Sequence, residues 1–137
     1  MVLAMTTLHS RTLSIAISRT PAEVYAFVTD PRNLPRWATQ FARSVRQEGE
    51  DWIVQTPDGA VTIRFAAANR LGVMDHVVGL GSGQEVAVPM RVISNGSGSE
   101  VLFTLFQLPG MSDEQFARDG AMVENDLRTL KRILEAR

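Results

Sequence analysis

The sequence contains no cysteine, which excludes disulfide bonds and thiolate chemistry. It has no apolar run near the roughly 18 residues that a membrane-spanning helix requires. Residues 1–12, MVLAMTTLHSRT, lack the basic leader and long apolar segment of a signal peptide. We therefore expect a cytoplasmic protein without membrane insertion.

The chain also lacks an excess of charge of either sign. Its 14 basic and 15 acidic residues give a net charge of −1, so no electrostatic feature favours nucleic acid as a partner. Arg32, Arg36, Arg43 and Arg46 nevertheless follow one another with no acidic residue between them. A solvated rim is the favoured interpretation of this stretch, and an anion site is the alternative.

No linker, repeat or low-complexity segment divides the 137 residues, whose 45% hydrophobic and 21% charged content is typical of one globular domain. We expect residues 1–10 to form a mobile tail and residues 11–137 to form the domain. The sequence has only two histidines, and His9 falls in the tail, so we expect neither a metal site nor a cofactor.

The first elements of the domain are predicted to be a strand and two short helices. In residues 11–18, RTLSIAIS, large apolar residues occupy alternate positions, as in a strand with one buried face. Thr20, Pro21 and Glu23 then have the cap, first-turn and capping-box positions of a helix start. Asp30-Pro31 ends that helix and begins a second one within DPRNLPRWATQ.

Six strands are predicted next, because short apolar segments alternate with turn signals. Pro89 interrupts one of them and predicts an edge position or a bulge. The six segments are ARSVRQEGE, DWIVQT, AVTIRFAAA, GVMDHVVGL, QEVAVPMRVIS and EVLFTLFQL.

The pattern becomes helical after the Pro-Gly pair at 109–110. Ser112 and Gln115 predict a capping box, and apolar residues then recur every three or four positions for about six turns. Gly120 interrupts this helix, which indicates either a close approach to the sheet or space beside a cavity.

This order of elements resembles the helix-grip fold of the START-like superfamily, also called the Bet v 1-like or SRPBCC superfamily. The opening SIAISRTPAEVYAFVTDPRNLPRW is similar to its strand, capped helix and entry to the second helix, above all in the polyketide cyclase/dehydrase and lipid transport branch. The resemblance implies an α+β fold. A curved antiparallel sheet of about seven strands would wrap around the long C-terminal helix and enclose a cavity for apolar molecules.

Asp75 and His76 are adjacent within an apolar segment, where each is costly to bury without a partner. Neighbouring strand residues point to opposite faces, and His76 shares its face with the bulkier set Met74, Val78 and Leu80. We expect His76 to point inward and Asp75 outward. His76 is then either a pocket residue or a core imidazole, and Asp75 is a structural partner of Arg64 or Arg91.

Three functions remain open at this point. The first is binding of a small hydrophobic or aromatic molecule, with Trp37, Phe65, His76, Met90 and Phe103 in contact with it. Polar partners would be Arg64, Asp75 and Arg91. The second is a cyclase or dehydratase with His76 as the general base. The third is a co-chaperone-like interaction module. The apolar strand VLFTLFQL also allows a homodimer.

Overall fold

A computed structural model describes residues 5–137, and within this range the chain forms eight strands and three α-helices. The strands are β1 (Ser10–Ile17), β2 (Ser44–Glu48), β3 (Asp51–Thr56), β4 (Gly59–Phe65), β5 (His76–Gly79), β6 (Glu85–Val88), β7 (Met90–Asn95) and β8 (Gly98–Phe106). The helices are α1 (Pro21–Val28), α2 (Leu34–Trp37) and α3 (Asp113–Glu135), with a 3₁₀ turn at Pro31–Asn33 before α2. The α+β order inferred from the sequence is confirmed.

The structure describes residues 5–10 of the segment expected to be a tail, and residues 1–4 lie outside the described range. Ser10 already belongs to β1, where it pairs with Phe106. His9 is held as well, because its carbonyl accepts the Gln107 N–H at 2.8 Å and its ring contacts Phe116 with centroids 5.2 Å apart.

The sheet consists of two antiparallel ladders in the orders β1-β8-β7 and β2-β3-β4-β5-β6. The strand count is one higher than expected because QEVAVPMRVIS divides at Pro89, which has no N–H to continue a ladder. β6 pairs with β5, whereas β7 pairs with β8, so both halves lie at ladder edges, as the proline predicted. The Met74 N–H donates to the Met90 carbonyl at 2.8 Å and joins the two ladders beside the break.

The helix ends follow from local sequence. The Thr20 hydroxyl accepts the Glu23 N–H at 3.2 Å and donates to the Glu23 carboxylate at 3.0 Å. Ser112 caps α3 by accepting the Gln115 N–H at 3.1 Å, while the Gln115 amide turns to Asp119 instead of completing the box. Among the described residues, no helix is long and apolar enough to cross a membrane.

The core lies between α3 and the concave side of the sheet. α3 packs against β1 and α2, and its side chains Leu127, Leu130 and Leu134 are at most 2% exposed. Met74 and Met90 are fully buried in the same core cluster. The inward side chains of β4, β5 and β6 near the Pro89 break are less covered and remain partly exposed.

Candidate functional site

Phe65, His76 and Phe103 form a ring cluster on the concave side of the sheet. Strand register places Phe65 directly opposite His76, and their ring centroids are 5.0 Å apart. The Phe103 centroid lies 6.2 Å from that of His76, in an edge-to-face arrangement. His76 lies between the buried residues Met74 and Val78, so it points inward as expected, and all three rings of the cluster are partly exposed.

One nitrogen of His76 is held by the backbone. Nδ1 lies 3.1 Å from the Met74 carbonyl oxygen. A carbonyl only accepts hydrogen bonds, so this contact assigns the proton to Nδ1 and leaves Nε2 as the acceptor of the neutral ring. Burial lowers the pKa of His76 and outweighs the opposing effects of the Met74 carbonyl and the Asp75 charge. The ring is therefore neutral near pH 7, with a basic nitrogen that can accept a proton or a hydrogen bond.

Asp75 points to the opposite face and binds the start of β7, next to the Pro89 break. Its Oδ1 accepts the Met90 N–H at 2.8 Å and the Arg91 Nε–H at 3.0 Å, and its Oδ2 accepts from Arg91 Nη2 at 2.9 Å. The Arg91 hydrogen bonds lower the pKa of Asp75 more than burial raises it, with further lowering from the Met90 N–H and the His76 charge. Of the two partners anticipated for Asp75, Arg91 is the one observed.

The remaining residues expected to contact a ligand are either paired on the outer face or buried in the core. Arg64 projects outward and lies 3.6 Å from Glu85. Met90 is fully buried in the core. Trp37 is 4% exposed at the end of α2, and its indole Nε1 has no acceptor among the described protein atoms. The structure therefore brings the rings of Phe65, His76 and Phe103 together, places Met90 directly opposite Phe103 in the β7–β8 ladder, and turns Arg64 toward the outer face.

A recess of about 200 Å³ lies on the other side of the same strands. It is lined by residues 64–66, 75–77 and 87–89. Six of these nine alternate with the inward row Phe65, His76 and Val88 and therefore face outward. The sequence did not anticipate a concavity on this outer face.

Among residues 5–137, His, Asp and Glu side chains form no group of three that could hold a metal ion. The ring cluster instead offers apolar contact area and one polar atom, the His76 Nε2. Such a surface is suited to binding an aromatic molecule and to a single proton transfer.

Asp126 is a buried carboxylic acid that the sequence analysis missed. It lies on α3, is 5% exposed, and accepts the Gln40 N–H at 3.1 Å. Burial raises its pKa to about 6, with the Gln40 hydrogen bond opposing the shift. The sequence pattern could have indicated its burial, because Asp126 lies between Val123 and Leu130 at helical spacing, within the apolar stripe.

A family model described as polyketide cyclase / dehydrase and lipid transport matches residues 9–135. No curated protein sequence gives a significant match. The family match thus covers all eight strands and the whole of α3.

Several solved structures share the fold at low sequence identity. The Aha1 dimer from Colwellia psychrerythraea superposes with a TM-score of 0.75 at 15% identity, covering 93% of this chain and 97% of that one. XoxI from Bacillus cereus gives a TM-score of 0.71 at 18% identity, with 90% and 94% covered. Ara h 8.0201 gives 0.70 at 15% identity, with 96% and 100% covered. These similarities establish the helix-grip architecture.

Proposed function

Because the chain belongs to the polyketide cyclase / dehydrase and lipid transport family, we propose that it binds a small hydrophobic or aromatic molecule on the concave side of its sheet. The observation that carries this proposal is the ring cluster of Phe65, His76 and Phe103, which is partly exposed beside a fully packed core. Apolar burial would supply most of the binding free energy, and His76 would orient the ligand.

The state of His76 specifies the ligand further. A neutral ring with its Nδ1 bonded to the Met74 carbonyl has only Nε2 free, and Nε2 then accepts a hydrogen bond. The preferred ligand therefore carries a hydroxyl or another N–H or O–H donor on an aromatic or alicyclic body. Arg64 and Arg91 point away from His76 toward Glu85 and Asp75, so we assign them no contact with this ligand.

Matched ligands test this assignment directly. 2-Naphthol and 2-methoxynaphthalene have the same apolar body, but only the naphthol donates a hydrogen bond. Wild-type protein should bind the naphthol about tenfold more tightly, as expected for one additional hydrogen bond. His76→Phe should bind both compounds equally, because the ring surface remains and the acceptor is lost.

His9→Phe is the control, since it makes the same exchange at the histidine beside Phe116. It should keep the wild-type preference for 2-naphthol in fluorescence titrations. Equal affinities of wild-type protein for the two compounds would refute the role of His76. Absence of saturable binding of either compound would refute the proposed ligand site.

A second candidate function is proton abstraction beside a carbonyl group, as in a cyclase or dehydratase. It is favoured by the lowered pKa of His76 and by its free Nε2, which is an acceptable general base near neutral pH. The enolate formed by such a step needs a cation or hydrogen-bond donor beside it, and Arg64 and Arg91 are instead paired on the opposite face. We therefore rank binding above catalysis.

Deuterium exchange distinguishes the two functions. The α-protons of 2-tetralone exchange with D₂O when a base removes them, and proton NMR follows the loss of signal. A catalytic His76 should accelerate exchange in wild-type protein and not in His76→Gln. Equal acceleration by both proteins would exclude His76 as the base.

A further inference from the structure

A second recess, of about 400 Å³, lies between α1, the start of α2 and the C-terminal end of α3. Its lining has no residue in common with the ring cluster or with the recess on the outer face of the sheet. Phe27 and Leu134 provide its buried apolar wall, and Arg36 and Arg137 are its exposed cationic residues.

The two arginines converge on one aromatic ring. The guanidinium carbon of Arg36 lies 5.2 Å from the Phe27 ring centroid, and that of Arg137 lies 5.4 Å from it. A contact of this kind holds the guanidinium over the ring through electrostatic attraction and does not use up its N–H donors. Both side chains are therefore oriented at the recess with hydrogen-bonding capacity to spare.

No carboxylate in residues 5–137 forms an ion pair with either guanidinium. Among the described residues, Arg32 pairs with Asp30 at 2.8 Å and Arg46 with Glu48 at 3.5 Å, whereas Arg36 and Arg137 have no carboxylate within 4.0 Å. Arg36 contacts only a neutral group, the Asn33 side-chain oxygen, at 3.3 Å. The basic stretch seen in the sequence therefore separates into the paired Arg32 and Arg46 and into Arg36 and Arg43, which have no ion pair among the described residues. Of the latter two, only Arg36 lines the recess.

One acidic residue also lines the recess, and its charge is compensated elsewhere. The Glu23 carboxylate accepts the Thr20 hydroxyl at 3.0 Å and lies 3.5 Å from Arg19 Nη1. Counted over the side chains that line the recess, the balance of one carboxylate and two guanidinium groups is therefore positive.

We propose that this recess binds a small organic oxyanion, a carboxylate or a phosphate ester. Its charged group is held by Arg36 and Arg137, and its apolar part lies against Phe27 and Leu134. The planar fork of guanidinium donors matches the oxygen atoms of either group. The site is independent of the hydrophobic ligand proposed for the ring cluster.

The test uses benzoate and phenyl phosphate as probes, with benzamide as the uncharged analogue of benzoate. Titration of ¹⁵N-labelled protein should shift the backbone amide signals of Phe27, Arg36 and Leu134 with at least one anion and not with benzamide. The anion that binds with the higher affinity identifies whether the site prefers a carboxylate or a phosphate ester. Equal shifts with benzamide, or none with either anion, would overturn the proposal.

Charge-removing variants locate the contact. Arg36→Gln and Arg137→Gln should each weaken binding of the preferred anion about tenfold, since each removes a charged donor. Arg132→Gln removes the same charge from an exposed position on α3 outside the recess and should leave the affinity unchanged. An equal loss in Arg132→Gln would show nonspecific attraction and refute the site. His76→Phe should have no effect, which separates this test from that of the ring cluster.

Discussion

Asp75 and Arg91 form a two-bond ion pair on the outer face of the sheet, at 3.0 and 2.9 Å, next to the point where the ladder divides. The same carboxylate accepts the Met90 N–H, which follows the proline that interrupts the strand. Asp75 thus serves as a structural link between the two ladders. Its neighbour His76 points to the concave side and takes no part in this link.

Asp75→Ala should therefore destabilise the protein by about 1–2 kcal/mol, because it leaves the Met90 N–H without its acceptor. Asp75→Asn should cost less, since an amide oxygen can still accept that N–H. Arg91→Gln should have the smallest effect, because it leaves the Met90 hydrogen bond intact and its side chain is half-exposed. Urea unfolding monitored by tryptophan fluorescence measures all three. A loss in Arg91→Gln as large as in Asp75→Ala would instead assign the effect to the ion pair.

The lowered pKa of His76 predicts a pH dependence of stability. Because the unfolded histidine has the higher pKa, 6.5, the unfolded state binds more protons as the pH falls through that value. The contribution of His76 to the free energy of unfolding should then decrease from pH 7 toward the folded-state pKa. His76→Phe should remove this decrease, as measured by urea unfolding between pH 5 and pH 8, and ¹H–¹³C NMR should show the folded ring titrating below 6.5. A folded His76 that titrates above 6.5 would contradict the prediction.

Asp126 predicts the opposite trend, because its pKa is raised from 3.8 to about 6. The folded state binds the additional proton between these values, so the stability contribution is present at low pH and is lost as the pH rises through 6. Asp126→Asn retains an oxygen for the Gln40 N–H and removes the buried charge. It should stabilise the protein by about 1–3 kcal/mol at pH 8 and have little effect near pH 4. A destabilised Asp126→Asn at pH 8 would indicate that the charge itself is stabilising.

Two glycines should respond in opposite ways to alanine. At Gly120 an added Cβ meets the Arg11 Nη1 at 2.7 Å, the far end of an exposed and flexible side chain that can move. Gly120→Ala should raise stability by up to about 1 kcal/mol through helix propensity.

At Gly72, φ is +72° and a Cβ would lie 2.1 Å from the Val92 carbonyl oxygen. Gly72→Ala should cost about 2 kcal/mol or more, because backbone strain adds to the collision with backbone. Thermal unfolding followed by circular dichroism compares the two variants. A destabilised Gly120→Ala would mean that the Arg11 side chain cannot move away.

Local sequence predicted those parts of the fold that depend on local chemistry. The Thr20 cap, the Ser112 cap and the alternation of Leu13, Ile15 and Ile17 each act within a few residues, and each is present in the structure. The inward direction of His76 followed from the same two-residue period.

Longer-range pairing was less predictable. Pro89 predicted an edge or a bulge. It did not predict that β6 would pair with β5 while β7 pairs with β8, because this depends on strands that are distant in sequence from one of their partners. The burial of Trp37 in the core likewise depends on how α2 packs. The burial of Asp126 could have been predicted locally, since this acid occupies a position within the apolar stripe of α3.

The pairing of β1 with β8 has a consequence for how the chain is made. Thr12 and Thr104 bond across the ladder at 2.8 Å although 92 positions separate them in the sequence. During synthesis β1 cannot complete its pairing with β8 until residue 106 has left the ribosome. The hairpins formed by β2 to β5 can fold before that point. Such a distant closure slows folding and prolongs the exposure of β1. The nascent protein is therefore most vulnerable to aggregation late in translation, when nearly all of the domain except β8 and α3 has emerged.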